Sequence, residues 1–270
     1  MEGLWGASAV GVIGGNPKSG KTWLGLDMAV SVSSGTEALG RFRVLEPGTA
    51  LVYLAEDSLQ SVRERVSAIA RHRRLGILEL ELFVITAESL RLDLEAQRLR
   101  LFETVEQVKP RLLLLDPLVR LHRLDENSAS EISALLASLR ELQRRFDTAV
   151  VLVHHVRKGA TSQAGQALRG SGDLWAFGDS NLYLRRLEGN LLLSVEHRSA
   201  RAPEPLLLRL VDEDEARIHL EVIGTPRTKT HGLERALDEV VLDVLKNEGA
   251  LSREQLRERL RVKNERLGWV

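Results

Sequence analysis

The chain has 270 residues, with 38 Lys and Arg against 38 Asp and Glu, and no cysteine. Balanced charge excludes a global basic field that would draw the protein onto nucleic acid, so any such site must be local. The lack of cysteine excludes a disulfide framework and thiolate metal sites, and fits a reducing, cytoplasmic compartment.

The N-terminus "MEGLWGASAVGVIGG" lacks a basic leader region and runs straight into a motif, so it does not read as a signal peptide. No apolar run approaches the ~20 residues a membrane helix needs, so no membrane partner is expected. From there apolar runs alternate with helical patterns. "SAVGVI" (8–13) reads as a strand and "KTWLGLDMAVSVSS" (21–34) as a helix. Strands at 49–55, 80–86, 111–116 and 148–155 alternate with helices at 58–74, 94–108 and 128–146. Continuous apolar strands between helices argue for an α/β fold whose mostly parallel sheet is covered on both faces. After 180 the pattern changes to "SNLYLRR", "NLLLSVEH", "EPLLLRLV" and "ARIHLEVI", short strands separated by turn residues. They read as antiparallel hairpins that extend the sheet. With five Phe and two Tyr in the whole chain, the core must be mostly Leu, Val, Ile and Ala.

The expected domains are 1–223 for the α/β unit, 224–232 ("GTPRTKTHG") as a linker without periodicity, and 233–270 as a small helical domain. The last segment reads as a helix, a Gly stop, a Ser-capped helix and a third helical start. That is a helix-turn-helix and the beginning of a winged helix, with the chain ending where the wing would follow. Its charge is mixed rather than basic. Such segments bind duplex DNA through the third helix or serve protein contacts.

"GNPKSGKT" (15–22) fits G-x-x-x-x-G-K-[ST] between a predicted strand and a predicted helix, the context that gives this motif its meaning. Backbone N–H groups of Gly15, Asn16, Pro17's neighbours, Lys18, Ser19 and Gly20 would wrap phosphates at the helix N-terminus. Lys21 would reach the β- and γ-phosphates and the Thr22 hydroxyl would bind Mg²⁺, with Trp23 following in the first helical turn. The implied ligands are ATP and Mg²⁺. Asp116 follows "RLLLL" at a strand tip, where a carboxylate can hold the Mg²⁺ through its water shell. "YLAEDS" (53–58) ends a third strand in two adjacent carboxylates. Glu56 is the candidate to activate water; Asp57 reads as the cap of the following helix, or as a supporting group. Glu56, Asp116, His154 and His155 all fall at carboxyl ends of predicted strands, where open α/β sheets bind ligands.

Taken together, "GNPKSGKT", "YLAEDS", "LLLLDPLVRLHRLDENSASEI", "VVLVHHVRKGA" and "LRGSGDLW" resemble the RecA-fold ATPases of the RepA-like (AAA_25) type, relatives of DnaB-like hexameric replicative helicases. The resemblance covers about residues 1–223. It implies a ring, a homo-oligomer expected to be hexameric, with active sites at subunit interfaces, single-stranded DNA as ligand, and other replication proteins as possible partners. It places the catalytic glutamate on Glu56 and the γ-phosphate sensor on the His154–His155 pair, His155 preferred. It calls for an arginine finger, with Arg65 and Arg198 as candidates and Arg201 as an alternative to Arg198. The lysine of the K-x-R motif of DnaB-like proteins is Glu196 here. The loop 155–172, carrying Arg157, Lys158 and Arg169, would track the single strand through backbone contacts, since it holds no stacking aromatic. A regulatory, KaiC-like ATPase that never unwinds DNA is the alternative reading.

Overall fold

The computed structural model describes residues 1–124, 129–155, 172–212 and 217–226, with Val244, Leu245, Gly249 and Glu254–Leu256 beyond them. In chain order β1 (Val10–Gly15) leads into α1 (Lys21–Ser34), β2 (Ala50–Leu54) into α2 (Leu59–His72), and β3 (Leu82–Val84) into α3 (Glu95–Val108). Then come β4 (Leu112–Asp116), α4 (Ala129–Phe146), β5 (Ala149–His155), α5 (Gly172–Phe177) and the strands β6 (Ser180–Leu187), β7 (Asn190–His197), β8 (Leu206–Asp212) and β9 (Ile218–Gly224). All nine strands join one sheet in the order β3-β2-β4-β5-β1-β6-β7-β8-β9. The first six are parallel, and β6 to β9 form antiparallel neighbours. The sheet is thus mostly parallel, flanked by helices and extended by hairpins, as the sequence pattern argues.

Two buried clusters lie on the two faces of the sheet. One gathers Ile13, Val52, Leu114 and Val153 with Leu24 and Met28 of α1 and Val62 and Val66 of α2. The other gathers Val12, Leu51, Leu113 and Leu152 with Phe102 of α3 and Leu135 and Leu139 of α4. Because side chains alternate along a strand, a residue's parity decides which layer it meets. Central strands covered on both faces have no polar face, which is why they read as unbroken apolar runs.

Local differences from the sequence reading have physical causes. β3 spans three residues rather than seven, because only Leu82–Val84 find partners on β2; ahead of the expected strand Ile77–Glu79 form a 3₁₀ turn, where the Glu79 carboxylate accepts the Gly76 N–H at 3.1 Å. The cap of α2 is Ser58, whose hydroxyl accepts the Ser61 N–H at 3.1 Å. Asp57 is therefore not the cap. The short helix α5 follows the expected 155–172 loop, in a stretch to which the sequence pattern assigns no element. Gly224, expected in the linker, is the last residue of β9.

Residues Met1–Thr225 form one compact unit and Pro226–Val270 a second. In the second, Gly249 is left-handed (φ 81°) and its N–H donates to the Leu245 carbonyl at 3.0 Å, the geometry of a glycine helix stop. Apart from the helical Val244, Leu245 and Glu254–Leu256, the rest of the expected helix-turn-helix lies outside the described residues, and so does the 155–172 loop beyond His155 and up to Gly172, with Arg157, Lys158 and Arg169.

Candidate nucleotide-binding site

The loop between β1 and α1 is built by two glycines with different jobs. Gly20 is left-handed (φ 82°) at the N-terminus of α1, a conformation only glycine adopts without strain. At Gly15 a Cβ would lie 2.3 Å from the Leu184 carbonyl and 2.8 Å from Ser19 Oγ, so glycine is needed there for the close passage of β6. Lys18 is also left-handed (φ 60°), a costly conformation for a side-chain-bearing residue. Its carbonyl accepts from Arg186 Nη2 at 2.8 Å, a tie from β6 that steadies the loop.

Lys21 is buried and folds over its own loop, donating to the carbonyls of Gly15 at 3.0 Å and Asn16 at 2.7 Å. Burial lowers its pKa to about 8, against the opposing pull of Asp116 and Glu56. The Thr22 hydroxyl donates to Asp116 Oδ2 at 2.6 Å. That contact follows from parity, since Leu112, Leu114 and Asp116 share the face that packs on α1. Asp116 is 6% exposed. Burial pushes its carboxyl up to about 6; the Thr22 hydroxyl pulls it down, Asp57 pushes it up, Lys21 lowers it and Glu56 raises it. Ser19 Oγ is buried with no hydrogen-bond partner among the described residues.

Glu56 and Asp57 diverge. Glu56 Oε1 accepts from Arg120 Nε at 2.8 Å, and Asp57 Oδ2 from Arg65 Nη1 at 2.8 Å. The two line different cavities: one of about 380 Å³ holds Glu56 and Arg120 with Tyr53, Ala55, Glu88 and Ser89, and one of about 200 Å³ holds Asp57 beside the start of α2. Arg65 also lies over the Trp23 ring, 5.8 Å from its centroid, so it is committed to two contacts within this chain.

His154 and His155 pair with Gly14 and Gly15 across β5 and β1. They point to opposite faces by strand alternation. His155 shares parity with Val151 and Val153, on the α1 face and hence on the side of the phosphate loop; His154 shares it with Val150 and Leu152 on the other.

Arg198 lies elsewhere. It follows β7, whose end His197 pairs with Ser180 at the start of β6. It is therefore at the edge opposite the phosphate loop of its own chain. Its guanidinium donates to the Ala176 carbonyl and lies 3.5 Å from Asp179 Oδ1. A cavity of about 810 Å³ is lined there by Arg198, Arg201, Glu46 and Asp147 among others. Larger than the clefts beside Glu56, it cannot serve this chain's own loop. Glu196 accepts the Tyr183 hydroxyl at 3.1 Å. Burial pushes that hydroxyl's pKa up and the Glu196 charge adds to it, so the residue in the lysine's place of K-x-R is engaged inside the fold.

Residues 1–161, more than half of the chain, match the model of the AAA domain family, AAA_25. The chain belongs to that family. No curated protein matches it. Among solved structures, that of a DnaB-like replicative helicase and its interactions with primase matches at a TM-score of 0.58 and 14% identity, over 80% of this chain and 58% of that one. The AAA domain protein thus has the RecA-like fold, and spans little more than half the length of that helicase chain.

The sequence pattern does not single out Arg120 or Arg186. Arg120 carries a faint signal, a cation four residues after the strand-tip Asp116. Arg186 carries none, since its role depends on β6 lying beside β1. No helix among the described residues is long and apolar enough to cross a membrane.

Proposed function

We propose that this protein is an ATP-hydrolysing motor of the RecA-like type that assembles into a homo-oligomeric, hexameric ring and acts as a DNA helicase or nucleic-acid-stimulated ATPase in replication. The observation that carries the reading is the convergence of Lys21, Thr22, Asp116 and Glu56 at one sheet edge, over a glycine-built loop at a helix N-terminus. Family membership and the RecA-like fold support it.

The donor set fits Mg²⁺. Thr22 Oγ1 and the Asp116 carboxylate are hard oxygens already in contact at 2.6 Å, and a buried carboxylate gains from a nearby cation. Among the described residues no group of three or more His, Cys, Asp or Glu could hold an ion by itself. Mg²⁺ is typically held by one or two protein oxygens together with substrate phosphates. Bound there, the ion would neutralise charge on the β- and γ-phosphates.

In this reading the loop N–H groups bind the phosphates, and Lys21 turns from the Gly15 and Asn16 carbonyls to the phosphate oxygens. Glu56 orients a water and takes its proton as the water oxygen bonds to the γ-phosphorus. The bond from that phosphorus to the bridging oxygen breaks, giving ADP and phosphate. His155 donates to a γ-phosphate oxygen and stands at the entrance to the 156–171 segment, in which Arg157, Lys158 and Arg169 would contact single-stranded DNA. Arg198 suits a finger for a neighbouring subunit, being at the edge opposite its own phosphate loop. The domain division 1–223, 224–232 and 233–270 is kept as part of the proposal, as is a role for the C-terminal segment toward DNA or other replication proteins.

The test is ATP hydrolysis with and without single-stranded DNA, alongside sedimentation with a non-hydrolysable analogue. Stimulation by DNA and a closed ring are expected. A flat rate without DNA binding would instead support a regulatory ATPase, the reading that the formal net charge of +0 and the lack of stacking aromatics in the 155–172 sequence favour.

A further inference from the structure

The two carboxylates of "YLAEDS" each have their own arginine, and the arginine on Glu56 is the informative one. Arg120 ends the 3₁₀ turn Leu118–Arg120, directly after β4. The turn is anchored on both sides by fully buried Leu118 and Leu121. The Arg120 N–H donates to the Pro117 carbonyl at 3.0 Å, and the Leu121 carbonyl accepts the Leu92 N–H at 2.7 Å. The backbone that carries Arg120 is therefore fixed, while its side chain is 62% exposed and takes its direction from the bond to Glu56. Glu56 sits in the turn after β2, where the Ala55 N–H donates to the Asp116 carbonyl at 2.8 Å. The Glu56 side chain is 46% exposed. An exposed glutamate with three rotatable bonds does not hold a defined direction by packing. Among the described residues its hydrogen-bond partner is Arg120, through Oε1 alone, which leaves Oε2 for another donor.

We propose that Arg120 is a positioning residue for hydrolysis, fixing the Glu56 carboxylate so that its second oxygen meets the attacking water. This rests on the reading of Glu56 as the hydrolytic carboxylate. Exposed ion pairs contribute little to folding, so the pair is better explained by orientation than by stability. Misplacing a catalytic group by about 1 Å can cost ~100-fold in rate. The bonding atom is Nε, close to the backbone, so a lysine ammonium can reach the same oxygen where an alanine cannot.

The experiment measures steady-state ATP hydrolysis, nucleotide affinity and thermal midpoint for the wild type, Arg120→Ala, Arg120→Lys, Glu56→Gln and the double variant Glu56→Gln/Arg120→Ala. Arg120→Ala should lose about 10- to 100-fold in kcat with KM, affinity and midpoint nearly unchanged. Arg120→Lys should recover much of that loss. In the Glu56→Gln background the alanine should cost nothing further, because there is no carboxylate left to aim. The proposal is overturned if Arg120→Ala keeps full kcat, if its effect falls on KM, if lysine is no better than alanine, or if the two losses add. Normal turnover in Glu56→Gln would instead remove Glu56 from the chemistry, and the role of Arg120 with it.

Discussion

Replacing Asp116 by Asn should stabilise the nucleotide-free protein while abolishing hydrolysis. Burial raises the Asp116 carboxyl from an ordinary 3.8 to about 6. One unit corresponds to about 1.4 kcal/mol, so the ionised carboxylate costs the fold about 3 kcal/mol above pH 6. The sign follows from protonation. Well below pH 3.8 the group is protonated in both folded and unfolded chains and there is no cost. Between 3.8 and about 6 the unfolded chain releases its proton first, so the native state loses stability as pH rises, and above about 6 the loss is complete. Asparagine has no charge to bury and keeps an acceptor for the Thr22 hydroxyl. Lys21 then loses a counter-charge, which offsets part of the gain. The expected net is ~1–3 kcal/mol at pH 7.5, or about 2–10 °C in the midpoint. Urea and thermal unfolding of both proteins at pH 7.5 and at pH 4 measure it. A variant no more stable than wild type at pH 7.5, or equally more stable at both pH values, would refute the reasoning. The expected trade, stability given up for a metal-binding carboxylate, is common at functional sites.

Other outcomes follow from the same site. Glu56→Gln should retain nucleotide affinity and lose about 10²- to 10⁴-fold in turnover, the usual share of a general base; wild-type turnover would exclude it. Lys21→Ala should weaken nucleotide binding more than about ten-fold, since Lys21 supplies the charge nearest the phosphates; titration with a fluorescent analogue reads this directly. The kcat/KM profile for ATP should rise as Asp116 ionises near pH 6 and fall as Lys21 loses its proton near pH 8. Arg198→Ala subunits mixed with Glu56→Gln subunits should regain activity, because each supplies what the other lacks across an interface. Arg65→Ala subunits should not regain it if Arg65 serves its own chain through Asp57 and Trp23.

Features governed by short-range rules are legible in the sequence itself. The phosphate loop is one, because its glycines answer to local backbone demands. The central strands are another, because burial on both faces leaves an unbroken apolar run. The helix at 21–34 coincides with α1 to the residue. Features that depend on which distant element lies alongside are not legible. β3 is trimmed by what β2 offers as partner, and α5 is too short to show a period. Asp57 reads as a cap beside Ser58, but the hydroxyl takes that place and leaves the carboxylate to Arg65. The Arg120–Glu56 and Arg186–Lys18 ties span 64 and 168 residues and leave no trace in local pattern.

The arginines show what topology adds to a choice that motifs leave open. As residues in a string, Arg65 and Arg198 are equal candidates for a group acting on a neighbour's nucleotide. In the sheet they are not. β7 runs antiparallel to β6, which itself runs parallel to β1, so Arg198 emerges at the edge where the parallel strands begin. The phosphate loop is where they end. A residue on the far edge is out of reach of its own phosphate loop, so as a finger it would have to serve another copy. Arg65 instead sits on the helix that follows Glu56, bound to its own Asp57 and stacked on its own Trp23. To act on a neighbour it would have to break both contacts and leave Asp57, which already pushes the Asp116 carboxyl up, without its cation. Arg198 too is tied to its own chain, through the Ala176 carbonyl and Asp179, so its place on the far edge is what separates it from Arg65 as a proposed finger, and mixing with Glu56→Gln subunits tests the choice.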